Sequence, residues 1–185
     1  NNVTGPSFVN TITLLQANIA YGFHDVFKEG DEWHWRIGRM TQDLGSRRLV
    51  SRNRFRNTIQ NYTGVWSEWR GSDDEQLTAF FVLPVMARPR DEASVVDNDV
   101  VFDEEDLDLR LWGVHYAWNT GWLDARAEGY LVALNEDDDP VESSTANRNL
   151  YSPGFRFYRL PEVGRWDFEI ENILQFGQRR ASRAA

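Results

Sequence analysis

The chain has no cysteine, one lysine (Lys28) and three histidines among its 185 residues. Without cysteine, neither a disulfide framework nor a thiolate metal site can form. The histidines have no neighbour at metal-ligand spacing, so no metal site is predicted. No run of about 18 apolar residues is present, which excludes a hydrophobic membrane-spanning helix. The chain opens at Asn1 without an initiator methionine or a signal-peptide pattern, so we expect a processed or truncated sequence.

Arginine carries almost all of the positive charge, in a chain whose formal net charge is -9. That acidity argues against nucleic acid as a partner. The segment 36–56 nevertheless contains seven arginines and a single acid, Asp43. The arginines of this segment are Arg36, Arg39, Arg47, Arg48, Arg52, Arg54 and Arg56. Because guanidinium groups match carboxylates and phosphates, the segment predicts contact with something anionic.

Period-two alternation of apolar and polar residues predicts eight strands. The predicted strands lie near 11–23, 32–42, 52–69, 77–87, 107–118, 122–134, 154–160 and 165–177. In 122–134, for example, Ala127 and Leu131 alternate with Arg126 and Glu128. Such a sheet has one apolar and one polar environment, which fits either a soluble sandwich or an outer-membrane barrel.

Three features favour the barrel. Connections alternate between short (71–76, 119–121, 161–164) and long (88–106, 135–150), as in bacterial barrels. The predicted strands run for roughly 10–13 residues, a length suited to a tilted membrane span. Tryptophans gather at the strand ends, like an interfacial belt. They are Trp33, Trp35, Trp66, Trp69, Trp118, Trp122 and Trp166. The predicted fold class is therefore all-β, an antiparallel up-and-down meander from a transmembrane barrel.

Two alternatives stay open at this point. Asp167, Glu169 and Glu171 alternate along one strand and resemble the acidic strand of jelly-roll glycoside hydrolases, although that pattern is Glu-x-Asp-x-Glu. They favour a soluble β-sandwich or jelly-roll that binds or cleaves polysaccharide. The second alternative is a barrel with a structural or adhesive role. The acids of the long connections leave a calcium site in either connection open, although they match no EF-hand spacing.

The motifs Gly38-Arg39-Met40, Leu44-Gly45-Ser46-Arg47-Arg48-Leu49-Val50 and Asn53-Arg54-Phe55-Arg56-Asn57-Thr58 resemble the alginate export family of Gram-negative outer-membrane proteins, with Met40 where Gln is usual. Trp166-Asp167-Phe168-Glu169 and Leu174-Gln175-Phe176-Gly177 resemble it too. The resemblance implies an outer-membrane barrel of about eighteen strands that passes anionic polysaccharide or other solutes, with no cofactor and no enzymatic activity. Eight strands cannot close such a barrel, so we expect residues 1–185 to be a single region of a longer one.

The resemblance and the alternation together predict an arginine-lined lumen. A guanidinium facing lipid would cost about 2–4 kcal/mol at the midplane, whereas arginines in a constriction select anions. The predicted pore-lining residues are Arg36, Arg39, Arg47, Arg48, Arg52, Arg54, Arg56, Arg110, Arg126, Glu128 and Glu169. A strict count puts Arg39 on the face of Trp35, so either a bulge near Gly38 turns it inward or the register differs there. Arg47 and Arg48 either fold inward into the lumen or lie on the surface of a loop.

The predicted function is an outer-membrane porin or export channel for anionic polysaccharide or small anions. The predicted location is the bacterial outer membrane. Expected partners are that polysaccharide or those anions, outer-membrane lipid and components of an export machinery. Nucleic acid, metal and cofactors are not expected.

Overall fold

The computed structural model describes residues 12–52, 59–89, 91–97, 99–137 and 147–180. These residues form ten strands and one short helix, α1 (Glu92–Val96). The strands are β1 (Ala17–His24), β2 (Glu32–Met40), β3 (Tyr62–Arg70), β4 (Gln76–Met86), β5 (Glu104–Glu105), β6 (Leu109–Asn119), β7 (Arg126–Glu136), β8 (Asn149–Arg159), β9 (Phe168–Ile173) and β10 (Phe176–Gln178). No helix in this part of the chain is long and apolar enough to span a membrane.

The strands form one antiparallel meander, which confirms the predicted fold class. The order is β1-β2-β3-β4-β6-β7-β8, β9 and β10 both pair with β8, and β5 pairs with β4. The sheet is open, because β1 and the β9/β10 edge do not pair with one another among the described residues. This architecture is consistent with a segment of a larger barrel.

Connection lengths alternate as predicted. The long connections 41–61, 87–108 and 137–148 join strand ends at one end of the sheet, and the shorter turns 25–31, 71–75, 120–125 and 160–167 join strand ends at the other. The turn predicted at 119–121 extends further, because Leu123 (φ 58°) and Asp124 (φ 50°) adopt left-handed backbone conformations that end the strand pairing.

Several predicted strand boundaries were wrong: β1 begins at Ala17 rather than near 11, β7 at Arg126 rather than near 122, and β8 at Asn149 rather than near 154. The third strand begins at Tyr62, so Ile59 precedes it, and the arginines of 53–58 lie outside the described residues. The last strand divides into β9 and β10. The division lies opposite Pro153, whose nitrogen cannot donate to the ladder. There Leu174 N donates to Pro153 O at 3.0 Å, and Gln175 Nε2 donates to Ser152 Oγ at 3.0 Å.

The sheet has an apolar face and a polar face, which we define by strand register. The apolar face carries Ile19, Tyr21, Phe23, Trp33, Trp35, Ile37, Val65, Trp69, Phe81, Val114, Leu131, Phe155, Phe157 and Ile170. Much of it is exposed: Ile19 by 81%, Ile37 by 58% and Ile170 by 65%. A contiguous exposed apolar surface of this kind marks contact with a protein or a membrane.

The buried hydrophobic cluster lies on the opposite, polar face. The charged and titratable residues of that face include Glu32, His34, Arg36, Glu68, Arg70, His115, Arg126, Glu128, Arg156, Glu169 and Glu171. The cluster within it consists of Met40, Leu44, Val50, Tyr62, Trp66, Phe80, Val82, Leu111 and Val132. Two of its members, Leu44 and Val50, come from the connection after β2, so that connection covers the centre of the polar face.

Candidate functional site

The segment 41–52, here called the inner loop, folds back onto the polar face. Val50 is fully buried there, Leu44 is nearly so, and Leu49 packs against the same cluster. Backbone hydrogen bonds from Leu44 N to Val50 O (3.1 Å) and from Arg47 N to Leu44 O (2.9 Å) close the loop on itself. Its apolar residues therefore act as an anchor, and its arginines are carried onto the polar face with them.

Gly45 sits where the inner loop comes closest to the sheet. Its φ is +50°, a left-handed conformation that glycine adopts without strain. A Cβ at this position would lie 3.1 Å from Glu128 Oε2 and 3.3 Å from His115 Nε2. Both the backbone conformation and the space therefore favour glycine here.

Glu171 on β9 holds the inner loop from across the polar face. Its carboxylate accepts hydrogen bonds from Arg48 Nε at 2.6 Å, Ser46 Oγ at 2.7 Å and Tyr130 OH at 2.8 Å. The Glu171 side chain is 6% exposed, so these donors replace its water. Charge-assisted hydrogen bonds of this length are the strong ones, and Glu171 is therefore the principal polar anchor of the loop.

Asp43 organises the loop internally. It accepts from Arg52 N at 3.0 Å and from Arg52 Nε at 3.2 Å, and its Oδ2 lies 3.4 Å from Arg47 Nε. Partial burial opposes ionisation of Asp43, but the Arg52 backbone N–H and the two guanidinium groups outweigh it and hold the pKa of the carboxyl below its usual range. The carboxylate is thus ionised at neutral pH and joins both ends of the loop.

A second ionic cluster lies on β6 to β9 beside the inner loop. Glu128 and His115 are both buried, with 3.3 Å between Glu128 Oε2 and His115 Nε2. Arg156 Nη1 lies 3.2 Å from Glu128 Oε1, and Arg156 Nε lies 3.0 Å from Glu169 Oε1. The guanidinium also lies 3.9 Å from the centre of the Tyr158 ring. Every carboxylate of the cluster therefore has a cationic neighbour, as buried charges require.

The β2 and β3 part of the polar face is different, because Arg36 has no such partner. A pocket of about 300 Å³ opens there, lined by His34, Arg36, Gln42, Trp66, Glu68 and Arg70 among others. Arg70 Nη2 lies 2.5 Å from Glu68 Oε1. Arg36 makes no hydrogen bond or ion pair with any other described residue, so its planar set of donors is open to a ligand.

Two of the predicted pore-lining arginines lie on the apolar face. The pairing of β2 with β1 and β3 runs unbroken through Gly38, so no bulge turns Arg39 inward. Arg39 Nη2 instead bonds Glu105 at 2.6 Å, near the long-connection end. Arg110 shares the face of Trp112 and pairs with Asp137. The register of β2 and β6 therefore places Arg39 and Arg110 on the opposite face of the sheet from Arg36 and Arg126.

The other predicted residues fall into three groups. Arg36, Arg126, Glu128 and Glu169 lie on the polar face, and Arg126 pairs with Asp74 at its short-turn end. Arg47, Arg48 and Arg52 lie on the inner loop, which folds inward. Arg54 and Arg56 lie outside the described residues.

Sequence reasoning missed several residues that organise this surface. They are Ser46, His115, Tyr130 and Arg156. One available signal was Leu49-Val50, an apolar pair within an arginine-rich connection, which indicates that the connection packs against something. Two of the three acids considered for glycoside cleavage are engaged in pairing, Glu169 with Arg156 and Glu171 with the inner loop, whereas Asp167 makes no ion pair with any other described residue.

An antiparallel meander with an exposed apolar face and a loop-covered polar face fits the class of outer-membrane β-barrel transport proteins. Comparison with protein families gives the particular member of that class: the family described as alginate export matches residues 2–185. The chain belongs to the alginate export family, which confirms the resemblance seen in the sequence. This is a family of transport proteins and not of enzymes. Neither the curated proteins nor the solved structures contain a match to the chain.

Proposed function

We propose that this chain forms part of the wall of an outer-membrane export channel and that its arginines favour anionic polysaccharide or small anions. The observation that carries the proposal is the inner loop. It brings Arg47 and Arg48 onto the same face as Arg36, whose guanidinium has no partner among the described residues. A cationic constriction of this kind favours anions.

The two faces of the sheet support this orientation. Turning the polar face to lipid would desolvate Arg36 and the exposed Arg48, at about 2–4 kcal/mol for each basic residue near the midplane. Turning the apolar face to lipid exposes residues such as Ile37 and Phe81 to the environment that suits them. The inner loop then lies inside the barrel, and the strand ends that carry the long connections lie on the extracellular side.

The charges are unevenly distributed across the polar face. On the inner-loop and β2 to β3 side, among the described residues, four guanidinium groups (Arg36, Arg47, Arg52, Arg70) meet three carboxylates (Glu32, Asp43, Glu68), and Arg36 stands without a partner. On the β7 to β9 side, three guanidinium groups (Arg48, Arg126, Arg156) meet three carboxylates (Glu128, Glu169, Glu171). This arrangement supports a transverse field in the lumen, more basic toward β2 than toward β9, which would orient a charged polymer as it passes.

The open edges of the sheet indicate further strands. Within the hydrocarbon region an unpaired strand edge would leave backbone groups without hydrogen-bond partners, so β1 and the β9/β10 edge require neighbours there. We therefore propose that residues 1–185 are a single region of a larger barrel and that other strands of the same protein close it.

The test is the reversal potential of the full-length protein in planar bilayers under a salt gradient. Replacing Arg36 with Gln should lower the anion preference about fivefold, the equivalent of one charge acting at about 4 Å in water. Arg110→Gln is the matched control, since this arginine lies on the apolar face. The proposal fails if Arg36→Gln leaves the reversal potential unchanged or if both substitutions shift it equally.

A further inference from the structure

A second concave site lies on the apolar face, on the other side of the sheet from the inner loop. It is a groove of about 760 Å³ near the short-turn end, over β2, β3 and β4. That volume falls in the usual range for sites that hold small molecules. The groove follows from side-chain size, because Ser67 and Ala79 pair across β3 and β4 and make a low floor between bulky neighbours. Trp35 stands beside Ser67 on β2, and Phe81 follows along β4.

The short-turn end of the groove is closed by a fixed aromatic wall. The Phe27 ring lies 5.4 Å from that of Trp33 and 6.2 Å from that of Trp69, measured between centroids. Trp33 Nε1 donates to Ser67 Oγ at 2.7 Å, and Trp69 Nε1 donates to Asp31 Oδ2 at 2.9 Å. Because both indoles are held by hydrogen bonds, the wall is preorganised, and ligand binding would cost little side-chain conformational entropy of the protein.

The charges at this end complement a particular kind of head group. Lys28, the only lysine of the chain, lines the groove, and its ammonium makes no ion pair with any other described residue. Two acids belong to the turns at this end. Glu29 follows Lys28 in the sequence, and Glu75 accepts a hydrogen bond from Tyr116 OH at 2.9 Å on the apolar face. A protein site with one cation and neighbouring acids complements a head group that carries both a phosphate and an ammonium better than one that carries only negative charge.

We infer that this groove binds a glycerophospholipid with an ethanolamine head group. One acyl chain would lie along Ser67 and Ala79, the phosphate would meet Lys28, and the ammonium would turn toward Glu29 or Glu75. The inference rests on the proposed orientation, in which the apolar face meets lipid and the short turns lie at the periplasmic rim. Aromatic residues at such a rim present an apolar body to the chains and a polar atom to the head groups.

Native mass spectrometry of the full-length protein, released from vesicles that contain equal amounts of phosphatidylethanolamine and phosphatidylglycerol, tests the inference. We expect one retained phosphatidylethanolamine per protein. Ala79→Phe fills the floor of the groove and should lower the retained fraction about tenfold, the effect of removing about two methylenes from contact. Lys28→Gln should lower it about fivefold, and Lys28→Arg should restore it.

Ala17→Phe is the matched control for the groove. Ala17 is also an exposed alanine of the apolar face, but it lies at the other end of β1. Equal lipid retention by the Ala17 and Ala79 variants would show that the groove is not the lipid site. Equal retention of phosphatidylethanolamine and phosphatidylglycerol would show that the head-group assignment is wrong. If the wild-type protein is a dimer of barrels and Ala79→Phe dissociates it, the groove binds a second copy of the protein and the lipid assignment is wrong.

Bilayer conductance distinguishes the lipid site from the proposed channel, because Ala79→Phe should leave conductance unchanged. A wild-type protein that binds the lipid but forms no channel would refute only the channel.

Discussion

Two buried carboxylates hold two kinds of connection in this protein. Asp31, which is 1% exposed, accepts from the backbone N–H groups of Val26, Phe27 and Lys28 and from the Trp69 indole. Most of its donors thus belong to its own short turn. Glu171 accepts only from side chains, and its nearest donor in sequence is 41 residues away.

The difference separates two roles. A carboxylate that binds neighbouring backbone determines the shape of a turn and, through Trp69, the rim of the apolar face. A carboxylate that binds a distant loop determines how that loop covers the polar face. Removing Asp31 should therefore disturb the outer surface without changing passage, whereas removing Glu171 should change passage itself.

The largest effect is expected for Glu171→Ala. This change removes the acceptor of Arg48, Ser46 and Tyr130, and at about 1 kcal/mol for each of the lost hydrogen bonds it should cost about 3 kcal/mol. The inner loop should then lift from the sheet, so single-channel conductance should rise and trypsin should cleave after the inner-loop arginines.

Glu169→Ala is the control for that experiment. Glu169 is 47% exposed and pairs with Arg156 rather than with the inner loop, so its loss should cost at most about 1 kcal/mol and leave the inner loop resistant to trypsin. Unaltered conductance and trypsin resistance in Glu171→Ala would show that the apolar anchor alone holds the loop.

A smaller effect is expected for Asp31→Ala. The three backbone N–H groups and the Trp69 indole would lose their acceptor. The free energy of unfolding should fall by about 2 kcal/mol, because water replaces part of the lost hydrogen bonding. Tryptophan fluorescence should change, because the Trp69 indole loses its partner, while conductance stays the same. Asp25→Ala is the comparison, since exposed Asp25 accepts one backbone bond, from Gly30 N at 2.6 Å, and should cost less. A conductance change in Asp31→Ala as large as that in Glu171→Ala would remove the distinction between the two carboxylates.

The smallest effect concerns Asp43 and its pH dependence. The pKa of Asp43 is lowered in the folded protein, so its contribution is complete above the unfolded pKa of about 3.9 and is lost as the pH falls through the folded value. Asp43→Asn should therefore cost about 1 kcal/mol of unfolding free energy at pH 7 and at pH 5, and progressively less below about pH 4. Urea unfolding at several pH values measures this difference. A cost that stays constant into acid would contradict the ionic role of Asp43.

Much of the fold was predictable because alternation reports directly on the two sides of a sheet. The strands β2 and β4, which lie between clear alternating stretches, were found to within two residues. Boundaries failed where backbone geometry decides and alternation does not. Leu123 and Asp124 continue the alternating pattern, yet their left-handed conformation belongs to a turn.

The candidate site was only partly predictable. Strand register follows from alternation, which is why Arg36 and Glu128 were assigned correctly to the polar face and why Arg39 could be singled out for checking. The contact between the inner loop and Glu171 joins residues more than 120 positions apart, and no local pattern encodes such a pairing. The unpaired state of Arg36 likewise depends on where every neighbouring acid points.

The central claim, that this sheet separates lipid from a water-filled lumen, is tested most directly with adjacent spin labels. The chain has no cysteine, so Arg36→Cys and Ile37→Cys each create a single labelling site within it. In reconstituted full-length protein, a nitroxide at position 37 should be relaxed by oxygen, which concentrates in the bilayer, and one at position 36 by a water-soluble nickel chelate. If the chelate reaches position 37 as readily as position 36, the apolar face does not meet lipid and the account is wrong.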